Sequence, residues 1–264
     1  MQDLKVSIVQ SDLVWKDKTA NLASFGYDIE QIEEKVDLIV LPEMFNTGFV
    51  IEPEDMAEAM EGESMQWLRQ KAQQTNAIIC TSLIILENGN YYNRLLWIRP
   101  DGSFQQYDKR HLFSLGNENL KFTGGSKSIV VELNGWKIKP LICYDLRFPV
   151  WSKNTFSNGE YEYDLLIYVA NWPAARRDTW MSLLKARALE NQSYTIGVNR
   201  IGRDGNGFPH VGDSNIYDAK GQKMIQQNSN TEFIETLLLS KKELVDFRNK
   251  FTVGLDWDRF SIEK

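Results

Sequence analysis

Two cysteines and two histidines are all that 264 residues provide. Cys80 and Cys143 are too few for the disulfide framework of a small secreted domain. His111 and His210, with no HExxH and no CxxC, leave zinc-type chemistry without a ligand set. Neither GxGxxG nor GxxxxGK(S/T) occurs, so nucleotide binding has no support, and no cofactor is expected. No apolar run approaches the ~20 residues of a membrane helix. The opening Leu4-Lys5-Val6-Ser7-Ile8-Val9 reads as a strand and lacks the basic start and cleavage site of a signal peptide. Positive charge is also short. A net charge of −6 argues against nucleic acid or an anionic membrane as partner. The expectation is a cytoplasmic protein that acts on a small molecule.

What is present is enough apolar material for one large core or two small ones, at 42% hydrophobic residues. Strands are expected over 4–10, 37–41, 77–85, 92–99, 128–133, 136–142, 164–169, 194–200, 212–218 and 232–238. Several are continuous apolar runs, as in strands covered on both faces. Helical periodicity marks 18–35, where Leu22, Phe25, Ile29 and Ile32 recur at spacings of three and four, and also 63–75 and 177–191. Asn134-Gly135 is a hairpin turn by composition, and Asp101-Gly102 makes another before a segment ending near Tyr107. No linker or repeat divides the chain. The pattern predicts a single α/β domain over 1–264, with helices outside and two packed sheets, since ten strands is many for one open sheet.

Three segments end in a reactive group. Leu38-Ile39-Val40-Leu41-Pro42-Glu43 delivers a carboxylate, Tyr107-Asp108-Lys109 an amine, and Leu141-Ile142-Cys143-Tyr144 a thiol. Together they can hydrolyse an unactivated carbon–nitrogen bond. The thiol attacks as nucleophile, the carboxylate moves protons, and the ammonium stabilises a tetrahedral oxyanion. A turn after Cys143 would expose the sulfur, and Lys109 is a candidate for lowering its pKa. Cys80, inside an apolar strand, reads as a buried hydrophobe. Glu118, in a polar loop, has two readings: it orients Lys109, or it orients the substrate amide. A thiol protease would pair Cys143 with His210, but nothing around Cys143 has the Cys-Gly-Ser-Cys-Trp context of such enzymes.

Leu41-Pro42-Glu43-Met44-Phe45, Tyr107-Asp108-Lys109-Arg110-His111-Leu112-Phe113 and Leu141-Ile142-Cys143-Tyr144-Asp145-Leu146-Arg147-Phe148-Pro149 resemble blocks of the nitrilase (carbon–nitrogen hydrolase) superfamily, in that family's order. Tyr168-Val169-Ala170-Asn171-Trp172-Pro173 and the segment from Lys185 to Asn191 look like its later blocks. Within the superfamily the bacterial omega-amidases, which act on 2-oxo-dicarboxylic acid monoamides, are the most similar. The resemblance implies a four-layer α-β-β-α sandwich and a homodimer or larger homo-oligomer. It also implies a Glu–Lys–Cys triad at Glu43, Lys109 and Cys143, with Glu118 as the family's additional glutamate. Relatives acting on carboxylated substrates hold the carboxylate with an arginine at the place of Arg147. The competing reading is an internal salt bridge from Arg147 to Asp145. Tyr144, Phe45 and Trp172 are expected in the substrate pocket, and Arg187 with Glu190 as a helical ion pair. Alternative readings are a superfamily hydrolase of N-carbamoyl amino acids, nitriles or other aliphatic amides, and a non-catalytic binding or scaffold member.

Overall fold

Side-chain alternation along the strands decides the layering. The computed structural model describes residues 1–227 and 229–263 and contains two central sheets. The first has six strands in the order Phe233–Leu239, Leu4–Gln10, Leu38–Val40, Ile78–Glu87, Asn90–Ile98 and Phe104–Asp108. The second has five: Asn215–Tyr217, Tyr194–Asn199, Leu165–Ala170, Trp136–Ile142 and Val131–Leu133. Each sheet is parallel at its centre and antiparallel at its margins.

In the first sheet Leu4, Val6, Ile8, Leu38, Val40, Ile78, Cys80, Leu95 and Trp97 share one core with Ile138, Leu165, Ile167, Val169, Ile196 and Val198 of the second. The intervening residues Val9, Ile39, Ile79, Leu83 and Leu96 turn the other way. They pack under the helices Lys18–Glu30 and Glu63–Thr75 through Leu22, Phe25, Ile29, Met65 and Leu68. Behind the second sheet lies the helix Arg177–Asn191, and a side chain on Gly197 would strike Leu184 and Trp180 within 2.4–2.8 Å. The result is an α-β-β-α sandwich in a single domain. Cys80 belongs to its inter-sheet core. Among the described residues no helix is long and apolar enough to cross a membrane.

The Asn134-Gly135 turn joins its two strands with both residues at positive φ (51° and 79°), the geometry that matches strand twist. The helix expected over 18–35 stops at Glu30, where Gln31 N–H closes on the carbonyls of Tyr27 and Asp28. The following residues return the chain to Leu38, and Asp37 N–H is already paired to the Lys5 carbonyl. Ile32 still packs on the helix-side core, which is why its spacing looked helical. A helix over Lys241–Lys250 was not anticipated. It is capped by Ser240, whose hydroxyl accepts from Glu243 N–H at 3.3 Å.

Candidate active site

The chemistry gathers at one end of the sandwich, where the parallel strands of both sheets finish. Ligands commonly bind outside the carboxyl ends of such strands. Glu43 follows Leu38–Val40. Its flanking backbone is pinned by the next strand: Thr81 Oγ1 donates to the Pro42 carbonyl at 2.7 Å, and Ser82 Oγ accepts from Met44 N–H at 3.0 Å. Lys109 leaves Phe104–Asp108 with its N–H on the Asn93 carbonyl and its carbonyl taken by Gly125 N–H. A Cβ on Gly125 would lie 2.1 Å from the Asp108 carbonyl oxygen, so only glycine allows that approach. Cys143 opens a tight 3₁₀ turn, Cys143–Arg147, with φ at +40°. That is a costly conformation for a side chain other than glycine, and it lifts the sulfur out of the strand.

The turn and the lysine segment are tied by one buried carboxylate. Asp145 Oδ2 accepts from Tyr107 Oη at 2.8 Å and from Ile142 N–H at 3.1 Å. Its Oδ1 accepts from His111 N–H at 3.1 Å and lies 2.8 Å from His111 Nδ1. Trp151 Nε1 donates to the same Tyr107 hydroxyl at 2.9 Å. Arg187 supports the turn from behind, donating to the Leu146 carbonyl at 2.6 Å while pairing with Glu190 at 2.7 Å.

At the centre, Lys109 Nζ donates to Glu43 Oε1 at 2.9 Å and to both Glu118 oxygens at 3.1 and 3.0 Å. The side chains of all three are fully buried. Asn93 Nδ2 bridges the two carboxylates at 2.8 and 3.2 Å. Asn171 N–H donates to Glu43 Oε2 at 2.8 Å, and Phe113 N–H to Glu118 Oε2 at 2.6 Å. Burial works against the Lys109 ammonium, but Glu118 and Glu43 outweigh it and hold its pKa above the ordinary lysine value. Burial, against the pull of Lys109, pushes the Glu118 carboxyl up. The Cys143 sulfur lies 4.0 Å from the Asn171 carbonyl, with Glu43 and Lys109 near enough to act on its charge. Its thiol is raised, by burial first and then by Glu43, with Lys109 only partly opposing. Lys109 thus pulls the thiol down as expected, but burial and Glu43 outweigh it. The arrangement suits a thiol that is deprotonated as it attacks rather than a standing thiolate.

The sulfur faces a pocket of about 290 Å³ whose walls include Phe49, Phe113, Tyr144, Arg147, Trp172 and Arg176. Tyr144 and Trp172 thus line the pocket, and Glu118 touches Lys109. Arg147 does not pair with Asp145, whose oxygens are already taken. Its guanidinium lies over the Trp172 ring, 5.0 Å from the centroid. Phe45 is a correction: it is fully buried on the helix side, edge-on to Phe25 at 5.4 Å and beside Trp67 at 5.5 Å. The backbone reverses at Met44, at φ +45°, and carries Phe45 away from the pocket, where Phe49 takes the wall. His210 also lines the pocket, its ring pushed down to about 4 by burial and by Arg200. Sequence reasoning missed Asn93 and Asn171. Asn93 sits within the strand Asn90–Ile98, and Asn171 lies just past Leu165–Ala170, inside the Tyr168–Pro173 block that resembles the family's.

Comparison with known proteins gives this arrangement a context. Residues 5–243 match the carbon-nitrogen hydrolase family. The chain is 42% identical over 262 residues to Omega-amidase YafV of Escherichia coli, covering 99% of this chain and 100% of that one. It is 32% identical over 252 residues to the 2-oxoglutaramate amidase of Bacillus subtilis, covering 94% and 95%. A CN-hydrolase superfamily protein of Xanthomonas campestris, whose crystal structure carries an arsenic adduct in the active site, superposes with a TM-score of 0.97 at 41% identity, over the whole of both chains.

Proposed function

Because this chain belongs to the carbon-nitrogen hydrolase family, we propose that Cys143, Glu43 and Lys109 hydrolyse the terminal amide of a 2-oxo-dicarboxylic acid monoamide. That it is an amidohydrolase of the nitrilase superfamily follows from the family match and the omega-amidase relatives. The favoured substrates are 2-oxoglutaramate and 2-oxosuccinamate. The observation that carries the proposal is the buried Glu43–Lys109–Glu118 network beside a thiol on a strained turn, in a pocket lined by an arginine that is unpaired among the described residues.

In this mechanism Cys143 Sγ attacks the amide carbon while Glu43 takes the thiol proton. The oxygen becomes an oxyanion facing the Lys109 ammonium and the backbone N–H that follows the nucleophile. Collapse breaks the carbon–nitrogen bond, and Glu43 returns its proton to the leaving ammonia, giving a cysteinyl thioester. Water, deprotonated by Glu43, then attacks the thioester and releases the dicarboxylate and the free thiol. Glu118 accepts from Lys109 through both of its oxygens; with one Nζ–H shared between them, a second donor serves Glu43 and the third is left for the substrate. Arg147 lines the same pocket, where its guanidinium fork suits the substrate's distal carboxylate. The proposal includes a cytoplasmic homo-oligomer, to be tested by light scattering of the purified protein. Its test is ammonia release from a panel of 2-oxoglutaramate, an N-carbamoyl amino acid, an aliphatic nitrile and a neutral amide. Preference for 2-oxoglutaramate is expected, and a higher kcat/KM on the carbamoyl acid or nitrile would overturn the substrate assignment.

A further inference from the structure

The pocket carries more positive charge than the reaction above uses. Arg147 and Arg176 both line it, and neither forms an ion pair among the described residues. Pairing is the rule close by: Arg177 is bidentate to Asp213 at 3.0 Å, and Arg187 meets Glu190. The two pocket arginines are instead stacked on rings, Arg147 over Trp172 at 5.0 Å and Arg176 over Phe113 at 5.4 Å. A ring beneath a guanidinium fixes its plane and leaves its N–H edge available. Their positions are linked, because Trp172 Nε1 donates to the Arg176 carbonyl at 2.8 Å. Asp204 is the carboxylate lining this pocket, and its Oδ1 caps its own turn by accepting from Asn206 and Phe208 N–H. Lys109 is engaged by Glu43 and Glu118.

We propose that Arg176 is a second substrate-gripping residue, acting with Arg147 on the 2-oxo acid end, and that this pair selects a 2-oxo acid over the matching 2-amino acid. The inference rests on the amidase reading above and deepens it. A 2-oxo carboxylate presents three oxygen acceptors close together. One fork takes the carboxylate, and the second bridges a carboxylate oxygen and the keto oxygen. Replacing the keto group by an ammonium removes an acceptor and sets a cation against two guanidiniums.

Kinetics of Arg176→Gln and Arg176→Lys on 2-oxoglutaramate, glutamine and butyramide test this. Loss of a charge-assisted contact should raise KM for 2-oxoglutaramate about 10- to 100-fold relative to butyramide, with kcat changing less. The preference for 2-oxoglutaramate over glutamine should narrow by a similar factor, and Arg176→Lys should recover part of it. Equal losses on 2-oxoglutaramate and butyramide, or an unchanged preference over glutamine, would overturn the inference. Calorimetry of 2-oxoglutarate binding to Cys143→Ala, with and without Arg176→Gln, separates it from the amidase reading. If no amide is hydrolysed but binding still depends on Arg176, the amidase reading fails and the anion grip stands. Binding indifferent to Arg176 overturns the grip, whichever amide is hydrolysed.

Discussion

Replacing Lys109 by Met should cost stability as well as turnover, and the size follows from what the lysine leaves behind. Glu43 and Glu118 both reach the same ammonium, and Asn93 is the amide that bridges them. Both side chains are fully buried, so removing the cation leaves two facing carboxylates with little water to screen them. Breaking a buried pair from one side costs about 3–5 kcal/mol. For a protein of this size that is a fall in Tm of about 6–20 °C, at roughly 2–4 °C per kcal/mol. The loss should depend on pH. Burial already raises Glu118 in the presence of Lys109, and without the lysine that carboxyl rises further above its unfolded value. The folded state then binds more protons than the unfolded one, so stability falls as pH rises through that window and recovers towards pH ~4.3. The assay is urea unfolding of wild type, Lys109→Met and Lys109→Met/Glu118→Gln at pH 7.5 and pH 5. The single variant should be weak at pH 7.5 and closer to wild type at pH 5. The double variant should regain stability at pH 7.5, since one charge has gone. A single variant as stable as wild type at both pH values, or a double variant weaker than the single, would refute the reasoning.

Other outcomes follow from the same geometry. Glu43→Gln keeps the volume and should fold, while kcat falls by about 10²–10⁴, the usual range for a general acid–base group. Near wild-type turnover would remove Glu43 from the mechanism. Arg147→Lys should lose about 1.5–3 kcal/mol of transition-state stabilisation on 2-oxoglutaramate, because an ammonium cannot reproduce the fork. An equal loss on butyramide would make Arg147 structural. His210 has a folded-state pKa pushed down to about 4, so burying it contributes stability above pH ~6.5 that is lost as pH falls towards 4. His210→Gln should therefore flatten the acid limb of a Tm-against-pH curve, and an unchanged limb would contradict the assignment.

The strand ends were legible because apolar runs stop abruptly at Glu43 and Cys143 and a short strand-like segment ends just before Lys109, and a parallel sheet puts such ends on one side. Sidedness after a turn was less legible. Phe45 is two residues beyond Glu43, and only the reversal at Met44 sends it to the helices. Partner choice was also hidden. Asp145 sits two residues from Arg147, yet it is claimed by Tyr107 and His111, 38 and 34 residues away. The thiol's raised pKa depends on depth beneath the pocket, which periodicity does not report. The Lys241–Lys250 helix was announced by Ser240 and Glu243 at capping-box spacing, but a thin apolar stripe of Leu244 and Phe247 gave it little periodicity.

The central claim is that Cys143 carries the acyl group of the substrate. Mixing enzyme with 2-oxoglutaramate, quenching in acid during turnover and mapping peptides by mass would test it directly. An acyl adduct is expected on the peptide containing Cys143, more abundant when ammonia release outpaces hydrolysis, and absent from Cys143→Ala. Ammonia release by Cys143→Ala at the wild-type rate, or an adduct found on Cys80 alone, would contradict it.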